Sequence, residues 1–332
     1  MKESNSKRSP NVAINLLKLF TMLLIINSHS DILYPPHVQF LATGGGIGNE
    51  LFFLISGYLF SAKSNIKHDI WKRFICLYVP VYIMLIVTSI ISGIKYTGLI
   101  SIIRIFVWPT EFWFLGAILL YSIILYALIQ IDIGKSSRFL LFGMSVLIID
   151  LILYILMIPD KSIWIVEDAY FGFVPYRSVY SIFAFVLGYY LKANKEHIVG
   201  KIKESYTAVI AIALFAGFYG FKFFLNKKII PMSVQILSHP LTIACALFIF
   251  LAFLQLDLNT KIKGKRIEHW INNLAGLSME SYLVQFLIIA RVASLEIIFP
   301  INFVVCIVAI FVAAWILHWA SRKLTRMILR ET

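Results

Sequence analysis

The chain has 332 residues, of which 60% are apolar and only 14% charged, and its mean hydropathy is +0.85. A water-soluble domain of that composition has too little polar surface to cover itself. The formal charge of +13 comes from 30 Lys and Arg against 17 Asp and Glu, but the cations are spread between hydrophobic runs instead of forming one patch, which argues against nucleic acid as a partner.

Apolar runs recur from residue 12 to 320 with short polar breaks. The expectation is therefore a single membrane domain over 1–332, with no soluble domain and with membrane lipids as its solvent. A basic leader, Lys2 to Arg8, precedes the first run. No small-x-small cleavage site follows it and many spans do, so an uncleaved first helix is expected.

At roughly 20 residues per crossing, the runs predict helices over 12–33, 46–62, 74–92, 113–131, 139–158, 175–192, 206–225, 234–255, 274–291 and 301–320. The fold class is all-α, a polytopic membrane protein of about ten transmembrane helices. The stretch from 93 to 111 is expected to hold a short interfacial helix, with Trp108 and Trp113 at the headgroup boundary. With the first segment inside, alternate loops carry 21 Lys and Arg on that side against 8 on the other. Basic loops resist translocation, so both termini are expected in the cytoplasm.

Cys76, Cys245 and Cys306 all lie inside apolar runs, without a CxxC pair or a nearby His at ligand spacing, so no metal is expected. No repeat, phosphate-cradling glycine loop or low-complexity tract is visible, which leaves the function to the membrane segments.

Ionisable side chains at membrane depth are costly and each is a functional candidate. Lys18 and His29 are 11 residues apart, close to three helical turns, which sets them on one face about 16 Å apart. The plain alternatives are a Lys18 that snorkels to the headgroups and a His29 that is hydrogen-bonded in the bundle. A histidine facing a cavity suits general-base acyl transfer, and a cation at the other end suits an anionic donor. In the next run, Gly48 to Tyr58 follows Gly44-Gly45-Gly46. Ser56 and Gly57 fit close helix packing, while Glu50 could orient an imidazole or bind a sugar hydroxyl.

Lys18 and His29, then the Phe52-Phe53-x-x-Ser56-Gly57-Tyr58 half of Gly48 to Tyr58, resemble the two N-terminal motifs of a known family. It is the membrane-bound acyltransferase 3 family of bacterial cell-surface sugar O-acyltransferases. Arg73 through Pro80, Trp113-Phe114-Leu115, Phe185 to Leu191 and Ser278 through Leu283 extend the likeness over nearly the whole chain. Asn15, Cys76 and Gln285 depart from the family pattern, at positions where Asp, a second basic residue and His are usual.

The resemblance implies an acetyl-coenzyme A donor, or a related acyl donor, taken from the cytoplasm and used at a hydroxyl of a glycan or lipid-linked sugar across a bacterial inner membrane. Lys18, Lys72 and Arg73 fall toward the inner side, where cations could hold coenzyme A phosphates. Glu111, Trp113, Arg177 and His239 fall in the outer half with His29 and Glu50, where an acceptor sugar would bind. The expected chemistry has His29, oriented by Glu50, deprotonating the acceptor hydroxyl, with Ser56 donating to the developing oxyanion. Rival readings are an exporter or flippase of a glycan or lipid-linked sugar, and a sensor or scaffold that has lost its catalytic residues. Asp150, Glu280, Arg291 and His318 are also membrane-embedded, without an assigned role.

Overall fold

The computed structural model describes residues 11–93, 98, 112–166, 170–171, 174–199, 203–256 and 258–330. Eleven helices of ten or more residues among them form its body. They are α1 (Val12–His29), α2 (Gly45–Leu59), α3 (Ile66–Ser92), α4 (Trp113–Gln130), α5 (Ser136–Met157), α6 (Ser178–Ala193), α7 (Glu204–Asn226), α8 (Ser238–Gln255), α9 (Arg266–Ala275), α10 (Ser278–Ala293) and α11 (Ile301–Arg330). A two-residue antiparallel pair, Tyr170–Phe171 with Val174–Pro175, precedes α6.

Each of the ten expected segments coincides with one of these helices. Seven helices among the described residues are long and apolar enough to cross a membrane: α1, α3, α4, α5, α7, α8 with the 3-10 turn ahead of it, and α11. The amphipathic α9 meets α10 at a 64° bend, and the two together would make an eighth span. The remaining helices, α2 and α6, are shorter and lie at the centre of the bundle.

Boundaries shift where polar residues continue a helix that hydropathy alone would end. α3 starts at Ile66, capped by the Asn65 carboxamide accepting from the His68 N–H at 3.0 Å, and so carries Lys67, Lys72 and Arg73 on its first turns. It ends at Gly93, whose φ of +63° suits a residue without Cβ and whose N–H reaches Ser89 O. α11 likewise runs on to Arg330. α1 stops at His29, four residues short of the expected end, where Ser30 turns the chain into a short 3-10 segment. Of the stretch over 93–111 expected to hold an interfacial helix, all but residues 93 and 98, Trp108 included, lies outside the described residues.

Helix ends meet in two sets. At one end Lys192 donates to Phe60 O, Asn194 to Gly134 O, Lys63 N–H to the Tyr126 hydroxyl and Asn15 to Asn272. At the other, Tyr219 donates to Thr43 O, Asn302 to Leu33 O and Tyr154 to Ser233 O. The chain therefore runs up and down, and the first set marks a basic end rich in Lys and Arg.

The outer surface is apolar. Leu140, Leu141, Ile148, Ile152 and Leu156 of α5 are all exposed, a face that only lipid would solvate. Inside, α2 packs against α1, α4, α6 and α8. Its seam with α6 is close because of two glycines. A Cβ on Gly57 would sit 2.8 Å from the Phe185 carbonyl carbon, and one on Gly188 would sit 2.7 Å from Tyr58 N. Gly48 plays the same part toward α1, where a Cβ would meet Ile25 Cγ1 at 2.6 Å. Small residues allow this approach, and van der Waals packing replaces the hydrophobic effect as the force between helices in lipid.

Candidate active site

Near the basic end, residues from six helices line a cavity of about 370 Å³, with Phe114, Leu115 and Ile118 of α4 and Ala275 of α9 forming part of its wall. Lys18 comes from α1, Phe52 and Ser56 from α2, Arg73 from α3, and Ser278 and Tyr282 from α10. The two cations and the serine, far apart in the chain, are thus brought together. Lys72 is exposed and is not part of this lining.

Arg73 is held in place. Its Nε donates to Asp69 Oδ2 at 2.8 Å, and its guanidinium lies 4.5 Å from the centre of the Phe60 ring. The Asp69 carboxylate is buried and also accepts from the Tyr126 hydroxyl at 2.6 Å, with Lys63 Nζ 3.4 Å away. A cation with one flank clamped in this way keeps its remaining donors directed, where a free surface arginine would lose rotamer entropy on binding an anion. Asp69 stands four residues before Arg73, an i,i+4 spacing legible in the sequence.

Ser56 and Gly57 divide their roles. Gly57 faces α6 in the close seam, as its packing reading anticipates, while Ser56 faces the cavity. Glu50 is buried and accepts from the Ser181 hydroxyl of α6 at 2.5 Å. Two residues beyond Gly48, which faces α1, Glu50 sits about 200° further round the helix. Its carboxylate therefore turns to Ser181 and anchors the start of α6.

The first turn of α6 joins several of the outer candidates. Arg177 lies over the Trp113 ring, 4.3 Å from its centre, and its buried Nε has no hydrogen-bond partner among the described residues. Trp113 is itself buried, so it serves as the floor for this cation and not as a headgroup anchor. Tyr121 donates to Ser178 O at 2.6 Å. Tyr180 stacks on His239 with ring centres 3.7 Å apart. Glu111 lies outside the described residues.

His239 is buried and its Nδ1 is 2.8 Å from Asp150 Oδ2, a partner the sequence reading left without a role. With Nδ1–H donating to the carboxylate, Nε2 is left as an acceptor, and it has no partner among the described residues. A second His–carboxylate pair joins His318 Nδ1 of α11 to Glu280 Oε1 of α10 at 2.7 Å. An Asp or Glu at membrane depth and a His on another helix were the only signal for either pair, and the sequence alone does not say which partners meet.

His29, at the end of α1, is exposed, and its ring packs edge-on against Phe286 of α10 with centres 4.7 Å apart. The chain just beyond is pinned. Asn27 donates to Leu41 O and Thr43 O and accepts from the Tyr34 hydroxyl. Lys18 and His29 thus lie about three turns apart on one helix, the first in the cavity and the second at the helix's far end. Among the described residues no group of three His, Cys, Asp or Glu side chains is placed to hold a metal ion.

A family profile described as an acyltransferase domain matches residues 11–319. No curated protein and no solved structure matches the chain.

Proposed function

Because the chain belongs to the membrane-bound acyltransferase 3 family, we infer that it transfers an acetyl or related acyl group from cytoplasmic acyl-coenzyme A to a hydroxyl of a glycan or lipid-linked sugar. The observation that carries this reading is the cavity at the basic end, where Lys18, Arg73 and Ser56 converge from three helices. Two cations beside an otherwise largely apolar chamber suit a donor with a phosphorylated head and an uncharged acyl-bearing arm. Basic loops favour the cytoplasmic side for that end, with both termini there and all ten segments crossing a bacterial inner membrane.

The acceptor enters from the opposite end. His29 stands there with a ring nitrogen able to take the hydroxyl proton. Trp113 with Arg177 over its face, and the Asp150–His239 pair, offer the stacking surface, donors and acceptor that a sugar needs. The acceptor oxygen bonds to the thioester carbonyl carbon, the carbon–sulfur bond breaks, and the proton taken by His29 passes to the leaving thiolate.

Binding of acetyl-coenzyme A to the purified protein in nanodiscs, followed by calorimetry, tests the donor site. Lys18→Ala and Arg73→Ala are each expected to weaken it about tenfold or more, equal to about 1.4 kcal/mol. Unchanged affinity in both would remove the cavity from the donor path.

A further inference from the structure

Gln285 of α10 is fully buried, and neither Nε2 nor Oε1 of its carboxamide has a hydrogen-bond partner among the described residues. Such a group is costly inside a membrane bundle, where water is scarce, and its retention calls for a partner that arrives with a ligand. Other side chains on α10 indicate where that ligand lies. Ser278 and Tyr282 line the cavity of Lys18 and Arg73. Gln285 follows them by seven and three residues, and so continues the same stripe of the helix one turn further from the basic end.

The far side of Gln285 is marked as well. The next residue, Phe286, carries the ring that packs on His29. Along α10, Gln285 therefore falls between Tyr282, which lines the chamber assigned to the donor, and Phe286, which packs on the histidine assigned to the acceptor. A thioester reached from that chamber and attacked with help from that histidine has its carbonyl at this depth.

We propose that the Gln285 amide N–H donates a hydrogen bond to the thioester carbonyl oxygen of the bound acyl donor, and holds that oxygen as it gains negative charge. This rests on the acyltransferase reading of the cavity. When the acceptor oxygen bonds to the carbonyl carbon, the electron pair moves to the carbonyl oxygen under the amide N–H. It returns as the carbon–sulfur bond breaks and the thiolate takes the proton from His29. Gln285 exchanges no proton, so a neutral amide suffices, and it supplies at this point a donor beyond the Ser56 hydroxyl.

The test uses the full chain in nanodiscs with acetyl-coenzyme A labelled with carbon-13 at the thioester carbonyl, read by infrared difference spectroscopy, by binding and by transfer. Gln285→Met keeps the size of the side chain and removes the donor, and Gln285→His restores an N–H. The expected result is a carbonyl band at lower frequency in the unaltered protein and in Gln285→His, and at its unbound frequency in Gln285→Met. Donor affinity in Gln285→Met stays within about threefold and the transfer rate falls about 100-fold or more.

Removing two unpartnered buried atoms should leave thermal stability unchanged or raised. An unshifted band in the unaltered protein, or full transfer by Gln285→Met, overturns the assignment while leaving the donor cavity standing. A loss of stability in Gln285→Met with the band the same in both proteins marks Gln285 as structural and also overturns it. Failure of the unaltered protein to bind the labelled donor refutes the cavity reading, and this inference with it.

Discussion

Gly57→Ala should harm this protein far more than its single methyl suggests. The added Cβ would lie 2.8 Å from the carbonyl carbon of Phe185, and closer still to its oxygen. Carbon pairs settle at about 3.5–4.0 Å, so α2 and α6 would have to part by roughly 1 Å. Both atoms in conflict are tied to backbone, and no rotamer change relieves them. Overpacking of this kind costs about 1–3 kcal/mol. The separation also pulls on the Glu50–Ser181 hydrogen bond and displaces Ser56, the residue before Gly57, within the cavity. A shift of about 1 Å at a reacting centre can lower the rate about 100-fold. Gly217→Ala is the matched control, since a Cβ there meets nothing within 4 Å and alanine favours a helix over glycine by roughly 0.5–1 kcal/mol. Thermal unfolding in nanodiscs should move down for Gly57→Ala and up or not at all for Gly217→Ala. If both variants melt alike and transfer alike, the close seam is not what positions the site.

Other residues give further expectations. Asp150→Ala should cost about 1–3 kcal/mol by stranding the buried His239 Nδ1, and Asp150→Asn, which keeps an acceptor oxygen, should cost less; equal melting temperatures for the two would contradict the pairing. Asp69→Ala should weaken donor binding several-fold without touching the donor, because Arg73 loses its clamp, and binding calorimetry equal to the unaltered protein would show that the clamp is idle. Asp132, in the turn between α4 and α5, is held below the ordinary carboxylate range by a hydrogen bond from Lys135 and by the charges of Lys135 and Arg138. Its native value lies below the unfolded one of about 3.9, so its stabilising contribution is complete above that value and is lost as pH falls through the lowered one. Asp132→Asn should flatten that part of the acid-stability curve, and a curve as steep as before would remove Asp132 from it.

Much of the fold was legible because lipid imposes a simple rule. A helix that satisfies its own backbone and shows apolar side chains outward leaves a long hydrophobic run, and each of the ten runs has its helix. The amphipathic α9 escaped because its charged face interrupts the hydropathy, and the early starts and late ends of α3 and α11 did so for the same reason. Of the candidate site, Lys18 was found from type and depth, and Ser56 and Arg73 through the family resemblance, and the structure lines one cavity with all three. The partners were not legible. Ser181 for Glu50, Asp150 for His239 and Trp113 for Arg177 each depend on which helices pack together, and depth alone does not fix neighbours. Gln285 was visible only as a departure from a pattern, and its buried carboxamide needed the packed bundle to stand out.

The central claim is that acyl groups pass from a donor in the Lys18–Arg73 cavity to an acceptor deprotonated at His29. Proteoliposomes supplied with radiolabelled acetyl-coenzyme A and a glycan acceptor measure it most directly, comparing the unaltered protein with His29→Ala. Label should appear in the glycan with the first and fall about 100-fold or more with the second, while the variant keeps its melting temperature and its donor affinity. Equal labelling by both proteins would contradict the claim.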